Sequence, residues 1–415
     1  MTEMNTRPLA GVRVVELATF IAAPCCARYL ADLGADVIKV ERPRGDDLRY
    51  TAVNEGRPFG DAEDTSFTLE NTGKRYITLD TKSAAGREAL EKLIAQSDVF
   101  LTNWRQPALE RAALDYESLK AKYPKLVYGI VSGYGEKGPD KDLPGFDFTA
   151  YFAHSGVMGT LYDRDSEPML PLAGFGDHQV AMSLASWVIA ALYRAEKTGR
   201  GDKVVVSLYH SGVWDVSLYL IASQYGDAST QYPIRKAELT NPLNSARKTA
   251  DGRWFMFSLP AYDKLFNRFV KDALGREDLV NDPRFYPQTN LVNGHLDEWD
   301  EIFNAEVANH DVQYWIAQMK KADLPYAVCQ TWDEILHDEQ AYASDILTDV
   351  EFPNGMKRTM VRTPVMFQDT ELPAYRPAHF LGQDTREVLA QLGYSQEQID
   401  AMIAAGEATD TVRIG

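Results

Sequence analysis

One short segment stands out for the chemistry its residue types allow. In Ala173-Gly174-Phe175-Gly176-Asp177-His178, an acidic side chain follows two glycines and precedes a histidine. Glycines on either side of Phe175 let the backbone turn tightly and leave room for a bulky ligand. An apolar stretch from about His178 to Glu196 reads as a helix that ends at Thr198-Gly199-Arg200-Gly201. Asp177 therefore falls at a helix N-terminus, where unpaired N–H groups and the helix dipole favour an anion. A carboxyl with an ordinary pKa of about 3.9 is ionised at neutral pH. Such a group can attack an activated acyl carbon without a general base, which is covalent catalysis by carboxylate. Taken alone, the pattern fits a plain N-cap aspartate equally well. His178 is the next residue, and helix neighbours point about 100° apart. Packing or local orientation suits it better than proton transfer.

Several cations follow segments that read as strands. Arg42 and Arg44 come after Asp36–Glu41, Lys82 after Tyr76–Leu79, and Arg105 and Arg111 after Asp98–Leu101. In an open α/β sheet, ligands bind outside the carboxyl ends of the strands. Arg42, Lys82 and Arg105 on that edge suit a phosphate-bearing ligand. Other chemistries lack their motifs. No G-x-x-x-x-G-K-[ST] or G-x-S-x-G occurs, and the turn Ala18–Pro24 has no glycine to admit a dinucleotide pyrophosphate. The seven histidines show no metal-ligand spacing, so no metal is expected. Cys25 and Cys26 lie in a helical stretch and read as small buried hydrophobes, and Cys329 completes an odd count without CxxC.

The elements that must hold these residues alternate. Val12–Leu17 is rich in β-branched residues and reads as a strand. Pro24 opens a helix that runs to Gly34, and Asp36–Glu41 is the next strand. Strand, helix and strand within about thirty residues make a parallel βαβ unit. Ser83–Gln96 reads as an amphipathic helix, and Leu126–Val131 and Val204–Leu208 as further strands. This alternation predicts an open parallel α/β sheet. The character changes in the polar stretch Gln224–Ala250, and Trp254–Pro325 reads as a separate, smaller α+β unit. Short strands such as Thr359–Arg362 and a helix from Asp384 to about Leu392 follow. The formal charge of −17 repels nucleic acid and anionic membranes. No apolar run reaches the roughly 18–20 residues of a membrane span. Met1–Pro8 is polar and lacks the apolar core of a signal peptide, so a cytoplasmic enzyme is expected.

Motifs along the chain resemble a known family. They are Leu9–Leu17, Gly34–Glu41, Asn71–Arg75, Asn103-Trp104-Arg105, Gly133-Tyr134-Gly135, Lys197–Gly201, Asp282–Phe285 and Leu381–Thr385. No single one is decisive, but so many in order are highly specific. The chain is similar to class III CoA-transferases, which include formyl-CoA:oxalate and carnitine CoA-transferases. Arg49–Ala52, Gly138–Asp147 and Gly176–Gln179 resemble one branch of that family. That branch acts on 2-hydroxy acids in amino-acid-fermenting anaerobes, as cinnamoyl-CoA:phenyllactate and 2-hydroxyisocaproate CoA-transferases do.

The resemblance implies an interlocked homodimer. Each chain would build a large Rossmann-like α/β domain from residues 1–225 and 326–415, with a smaller domain at 226–325. It implies that Asp177 is the nucleophile, passing through an aspartyl anhydride and an aspartyl-CoA thioester. By position, Arg42 would lie beside the adenosine of coenzyme A. Ala23, Leu79 to Lys82, Asn103, Trp104, Arg105 and Arg111 would make its other contacts. Coenzyme A is then a co-substrate, with no cofactor bound permanently. Phe146 and Tyr151, with Phe148 and Phe152, supply an acyl pocket or belong to ordinary core. The expected reaction takes CoA from an enoyl-CoA to an (R)-2-hydroxy acid, aryl or branched-alkyl, and a 2-hydroxyacyl-CoA dehydratase is an expected functional partner. One departure concerns the glycine run that closes over the nucleophile in oxalate-type enzymes. The matching stretch here, Thr240–Ser245, has no glycine, which suggests a different acyl pocket. Two rivals share the resemblance. An α-methylacyl-CoA racemase needs acid–base groups on both faces of the α-carbon, and the racemase histidine position holds Phe146. A non-catalytic CoA-binding assembly protein would not need the intact Gly-Asp site.

Overall fold

The computed structural model describes residues 7–226 and 231–415. Most of the polar opening Met1–Pro8, and part of the connection Gln224–Ala250, lie outside the described residues. The chain divides into two compact units. The larger takes Met1–Val157, Pro171–Asp215 and Asp338–Gly415, and the smaller takes Met158–Leu170 and Val216–His337.

Six strands form the sheet of the larger unit: β1 (Arg13–Leu17), β2 (Asp36–Glu41), β3 (Arg75–Thr78), β4 (Val99–Thr102), β5 (Val127–Ser132) and β6 (Lys203–Ser207). Their order is β3-β2-β1-β4-β5-β6, and every pair is parallel. On β1, Val15 pairs with Ile38 on one side and Phe100 on the other. Both faces of β1 to β5 are covered, so nearly every residue of these strands is buried, the charged Glu16, Lys39 and Glu41 included. The Ala84–Ala95 helix starts where Ser83 Oγ accepts from the Gly86 N–H at 3.0 Å. It buries Ala89, Leu90, Leu93 and Ile94 in the sheet core. The end of the chain returns to this core. Helices Thr385–Gln391 and Gln396–Ala404 add Val388, Leu389, Ile399 and Met402, and Asp384 accepts from the Tyr76 N–H of β3 at 2.7 Å.

A buried ionic network ties the carboxyl end of β1 to its neighbours. Glu16 sits between Lys39 at 2.7 Å and Lys74 at 2.6 Å, and Lys39 also pairs with Asp46 at 2.9 Å. All four side chains are buried. The two ammonium groups also donate to the carbonyls of Ala18 and Pro24, at 3.0 and 2.8 Å. Buried charges persist only when paired and hydrogen-bonded in this way.

In the smaller unit, β7 (Asn244–Lys248), β8 (Trp254–Ser258) and β9 (Tyr326–Val328) form an antiparallel sheet with β8 central. Its core gathers Phe257, Phe269, Trp299, Phe303 and Trp315. The Thr240–Ser245 stretch leads into β7. A hairpin of β10 (Leu347–Glu351) and β11 (Lys357–Val361) belongs to the larger unit.

Candidate active site

The strand order reverses direction between β1 and β4, and there the loops after them part. This is the switch point at which doubly wound sheets bind ligands. A cleft of about 620 Å³ opens there, at the carboxyl ends of β1, β4 and β5. Its walls include Phe20, Asn103, Trp104, Arg105, Phe146 and Asp177. Lys141 adds positive charge, while Lys203 is paired with Glu136 in the same wall.

The loop after β1 is fastened on both sides. Asn103, just past β4, accepts from the Thr19 N–H at 3.2 Å and donates to the Thr19 carbonyl at 2.7 Å. Asp46, held by Lys39, accepts from the Phe20 N–H at 3.1 Å. Phe20 adopts φ 62°, a left-handed conformation that aromatic residues rarely take.

Asp177 enters from the 24-residue helix Phe175–Thr198. That helix begins three residues earlier than its apolar periodicity suggests. Gly174 is its N-cap, at φ 85°, so Asp177 lies in the first turn and is not the cap. Asp147 explains the early start. Its carboxylate accepts from the Gly176 N–H at 3.1 Å, satisfying a donor the helix itself leaves free. Packing here requires glycine at 176, where a Cβ would meet Tyr151 Cγ at 2.3 Å and Asp147 Oδ1 at 2.4 Å.

The electrostatics correct one expectation. Asp177 does not keep an ordinary carboxyl pKa. Burial, then the neighbouring carboxylates Asp147 and Glu70, push it up to about 7. Burial likewise raises Asp147 to about 6. His178 points to Glu70, with Nε2 to Oε1 at 2.9 Å. Burial opposes its charged form, but Glu70 and Asp177 hold its pKa above the usual value. A Cys25 sulfur, a Glu70 oxygen and a His178 nitrogen lie within 4.8 Å of one another. Burial and Glu70 push the Cys25 thiol well up, and the Arg28 charge is felt there too. That combination favours a hydrogen-bonded cluster over a cation cage.

The other residues singled out in the sequence fall in three places. Asn103, Trp104, Arg105 and Phe146 join Asp177 in the cleft. Arg42 and Lys82 follow the carboxyl ends of β2 and β3 on the same sheet edge, both exposed. Arg42 pairs with Asp47, Arg105 donates to the Asp142 carbonyl, and Arg111 is exposed at the end of the Gln106–Arg111 helix. Ala23, Leu79 and Tyr151 do not reach the cleft surface. Ala23 and Leu79 are buried, and Tyr151 is buried with its hydroxyl donating to Asp215 at 2.6 Å. Phe148 is exposed and Phe152 buried. Three residues of the site carried no readable signal: Phe20, Glu70 and Asp147. A left-handed phenylalanine and two carboxylates far apart in the chain acquire meaning only when folded.

Comparison with known proteins agrees with this architecture. The family model described as CoA-transferase family III matches residues 9–385. The chain is similar to the cinnamoyl-CoA:phenyllactate CoA-transferase of Clostridium sporogenes, 46% identical over 96% of this chain and 97% of that one. It is also similar to the (R)-2-hydroxy-4-methylpentanoate CoA-transferase of Clostridioides difficile, 40% identical over 94% and 97%. Among solved structures, a CAIB/BAIF family protein from Brucella suis superposes with a TM-score of 0.77 at 28% identity, covering 93% of this chain and 99% of that one. With a matched sequence, a matched fold and an acidic cleft residue at the switch point, the chain belongs to CoA-transferase family III.

Proposed function

We propose that this protein moves coenzyme A from an acyl-CoA, an enoyl-CoA in particular, to the carboxylate of an (R)-2-hydroxy acid, with Asp177 as the covalent carrier. The observation that carries the proposal is a half-buried carboxyl facing a cleft of about 620 Å³ at the sheet's switch point, in a chain of this family. The two relatives named for phenyllactate and (R)-2-hydroxy-4-methylpentanoate support the acceptor class.

The chemistry follows from a carboxylate and a thiolate exchanging places. The ionised Asp177 attacks the donor thioester carbonyl, expelling CoA thiolate and forming a mixed anhydride. The thiolate attacks the aspartyl carbonyl, releasing the first acid and leaving an aspartyl-CoA thioester. The acceptor carboxylate attacks that thioester, giving a new anhydride and thiolate. Attack of the thiolate on its acyl carbonyl yields the new acyl-CoA and frees Asp177. Each tetrahedral intermediate needs a donor for its oxyanion, and backbone N–H groups are the physical candidates. Arg42, Lys82, Arg105 and Arg111 suit the phosphates of coenzyme A. Asn103 and Trp104 wall its path. Ala23 and Leu79, being buried, serve that path only by shaping the backbone around it.

A homodimer, a cytoplasmic location and a 2-hydroxyacyl-CoA dehydratase as functional partner belong to the same proposal. Among the described residues, no helix is long and apolar enough to cross a membrane.

The test is covalent trapping. Incubation with acyl-CoA and hydroxylamine should convert Asp177 to its hydroxamate and inactivate the enzyme. A racemase or a simple CoA binder should show neither effect. Asp177→Ala should lower transfer by on the order of 10⁴-fold or more, and normal transfer by that variant would overturn the mechanism. In a panel of phenyllactate, (R)-2-hydroxy-4-methylpentanoate, lactate and oxalate, a clear preference for oxalate would overturn the acceptor class.

A further inference from the structure

Two aromatic rings at the cleft are held in place at some conformational cost. Phe20 is 36% exposed and Phe146 is 59% exposed. Their centroids lie 6.0 Å apart at an interplanar angle of 86°, an edge-to-face pair. Phe20 sits at φ 62°, where nearly any residue but glycine is strained. Strained residues persist where the surroundings over-determine them, and they concentrate at ligand sites. The surroundings here are built for it. Asp46 holds the Phe20 N–H, Lys39 holds Asp46, and Asn103 brackets Thr19.

Phe146 is fixed just as firmly. Gly145 packs on Gly133 after β5 so closely that a Cβ on Gly145 would meet the Gly133 Cα at 2.5 Å. The Phe146 N–H donates to Thr149 Oγ1 at 3.0 Å. The next residue, Asp147, holds the turn that presents Asp177. The ring pair therefore stands at the nucleophile's end of the cleft, while the cations of β2 and β3 lie further along the sheet edge.

We propose that Phe20 and Phe146, in edge-to-face contact, form one wall of a slot beside Asp177 against which the ring of an aromatic acyl group packs. The slot selects 3-aryl-2-hydroxypropanoates over branched-alkyl 2-hydroxy acids. This rests on the CoA-transfer reaction proposed above and names its substrate class. The physical basis is the preference of aromatic rings for edge-to-face and offset contacts over contact with a branched alkyl group of similar area. The half-exposed rings gain burial when the acyl ring enters.

The test is a ratio. The kcat/KM for phenyllactate is divided by that for (R)-2-hydroxy-4-methylpentanoate, with one acyl-CoA donor held fixed so that donor effects cancel. The wild type should favour phenyllactate. Phe20→Gly suits the left-handed backbone and so keeps the fold, which a thermal melt checks. It should lower the ratio about 10-fold. Phe146→Ala should lower it in the same direction, and Phe20→Tyr, which keeps the ring, should retain most of the preference. An unchanged ratio in both ring-deleting variants, or a rise in KM for the CoA donor alone, would overturn the slot. A wild type that moves CoA to neither acid would overturn the underlying reaction instead.

Discussion

At the scale of single residues, the site turns on how Asp177 carries its charge. Its pKa of about 7 comes first from burial, then from Asp147 and Glu70. The anion is the nucleophile, so formation of the hydroxamate should rise with pH through about 7. Asp147→Asn removes one of the two repelling charges yet keeps an oxygen to accept from Gly176. The acid limb of the rate profile should then move to lower pH, read as initial rates of hydroxamate formation. Stability should respond with the opposite sign to activity. A carboxyl whose folded pKa lies above its unfolded value disfavours the folded state once ionised. That penalty is absent below about pH 4, grows as pH rises towards 7, and is constant above. Asp177→Asn should therefore be more stable than wild type at pH 8 by up to about 4 kcal/mol, less as solvent screens the half-buried group, with the gap closing on acidification. Urea denaturation at pH 4 and pH 8 measures both ends. Equal stability at pH 8 would mean that Asp177 is not strained by its surroundings.

At the scale of elements, two contacts decide whether the nucleophile is presented at all. Gly176 leaves no room for a Cβ between Tyr151 and Asp147. Gly176→Ala should cost about 1–3 kcal/mol by overpacking and should lose transfer activity by moving Asp147 off the helix start. The ionic network under β1 should matter more for folding. Lys39→Met leaves Glu16 and Asp46 buried without their shared partner, a loss of about 3–5 kcal/mol by denaturation. Much of the sheet was legible, because Val12–Leu17, Asp36–Glu41 and Leu126–Val131 are rich in β-branched residues. Parallel pairing followed from the βαβ spacing. Which strands became neighbours did not, since crossover length sets direction and hand but not order. Asp177 was legible through its flanking glycines. Its pKa was not, because Glu70 lies 107 positions away in the chain and no local pattern marks a carboxylate aimed at a distant helix. Phe20 was hidden for a related reason. A left-handed turn usually announces itself by glycine or asparagine, and here Asp46 and Asn103 impose it from outside the loop.

At the scale of the molecule, the helix that presents Asp177 also shows an apolar face to solvent. Met182, Trp187 and Tyr193 are exposed along it, Trp187 at 65% and Tyr193 at 64%, and Trp214 nearby in the chain is exposed as well. Exposed large aromatic side chains are enriched at association surfaces. The proposed homodimer gives that face an occupant of matching chemistry, a second copy of the same surface. A helix that both carries the nucleophile and contacts the partner would couple assembly to activity. Trp187→Glu places a charge on the exposed side of that helix and, being exposed, leaves the core of the single chain intact. It should weaken self-association by on the order of 30-fold or more, seen as a shift towards monomer in sedimentation velocity at micromolar concentration. Hydroxamate formation at Asp177 should fall in parallel as the protein is diluted, and high protein concentration should restore it. A wild-type protein that sediments as a monomer would remove the dimer from the proposal. A variant that stays dimeric with normal activity would place the association surface elsewhere.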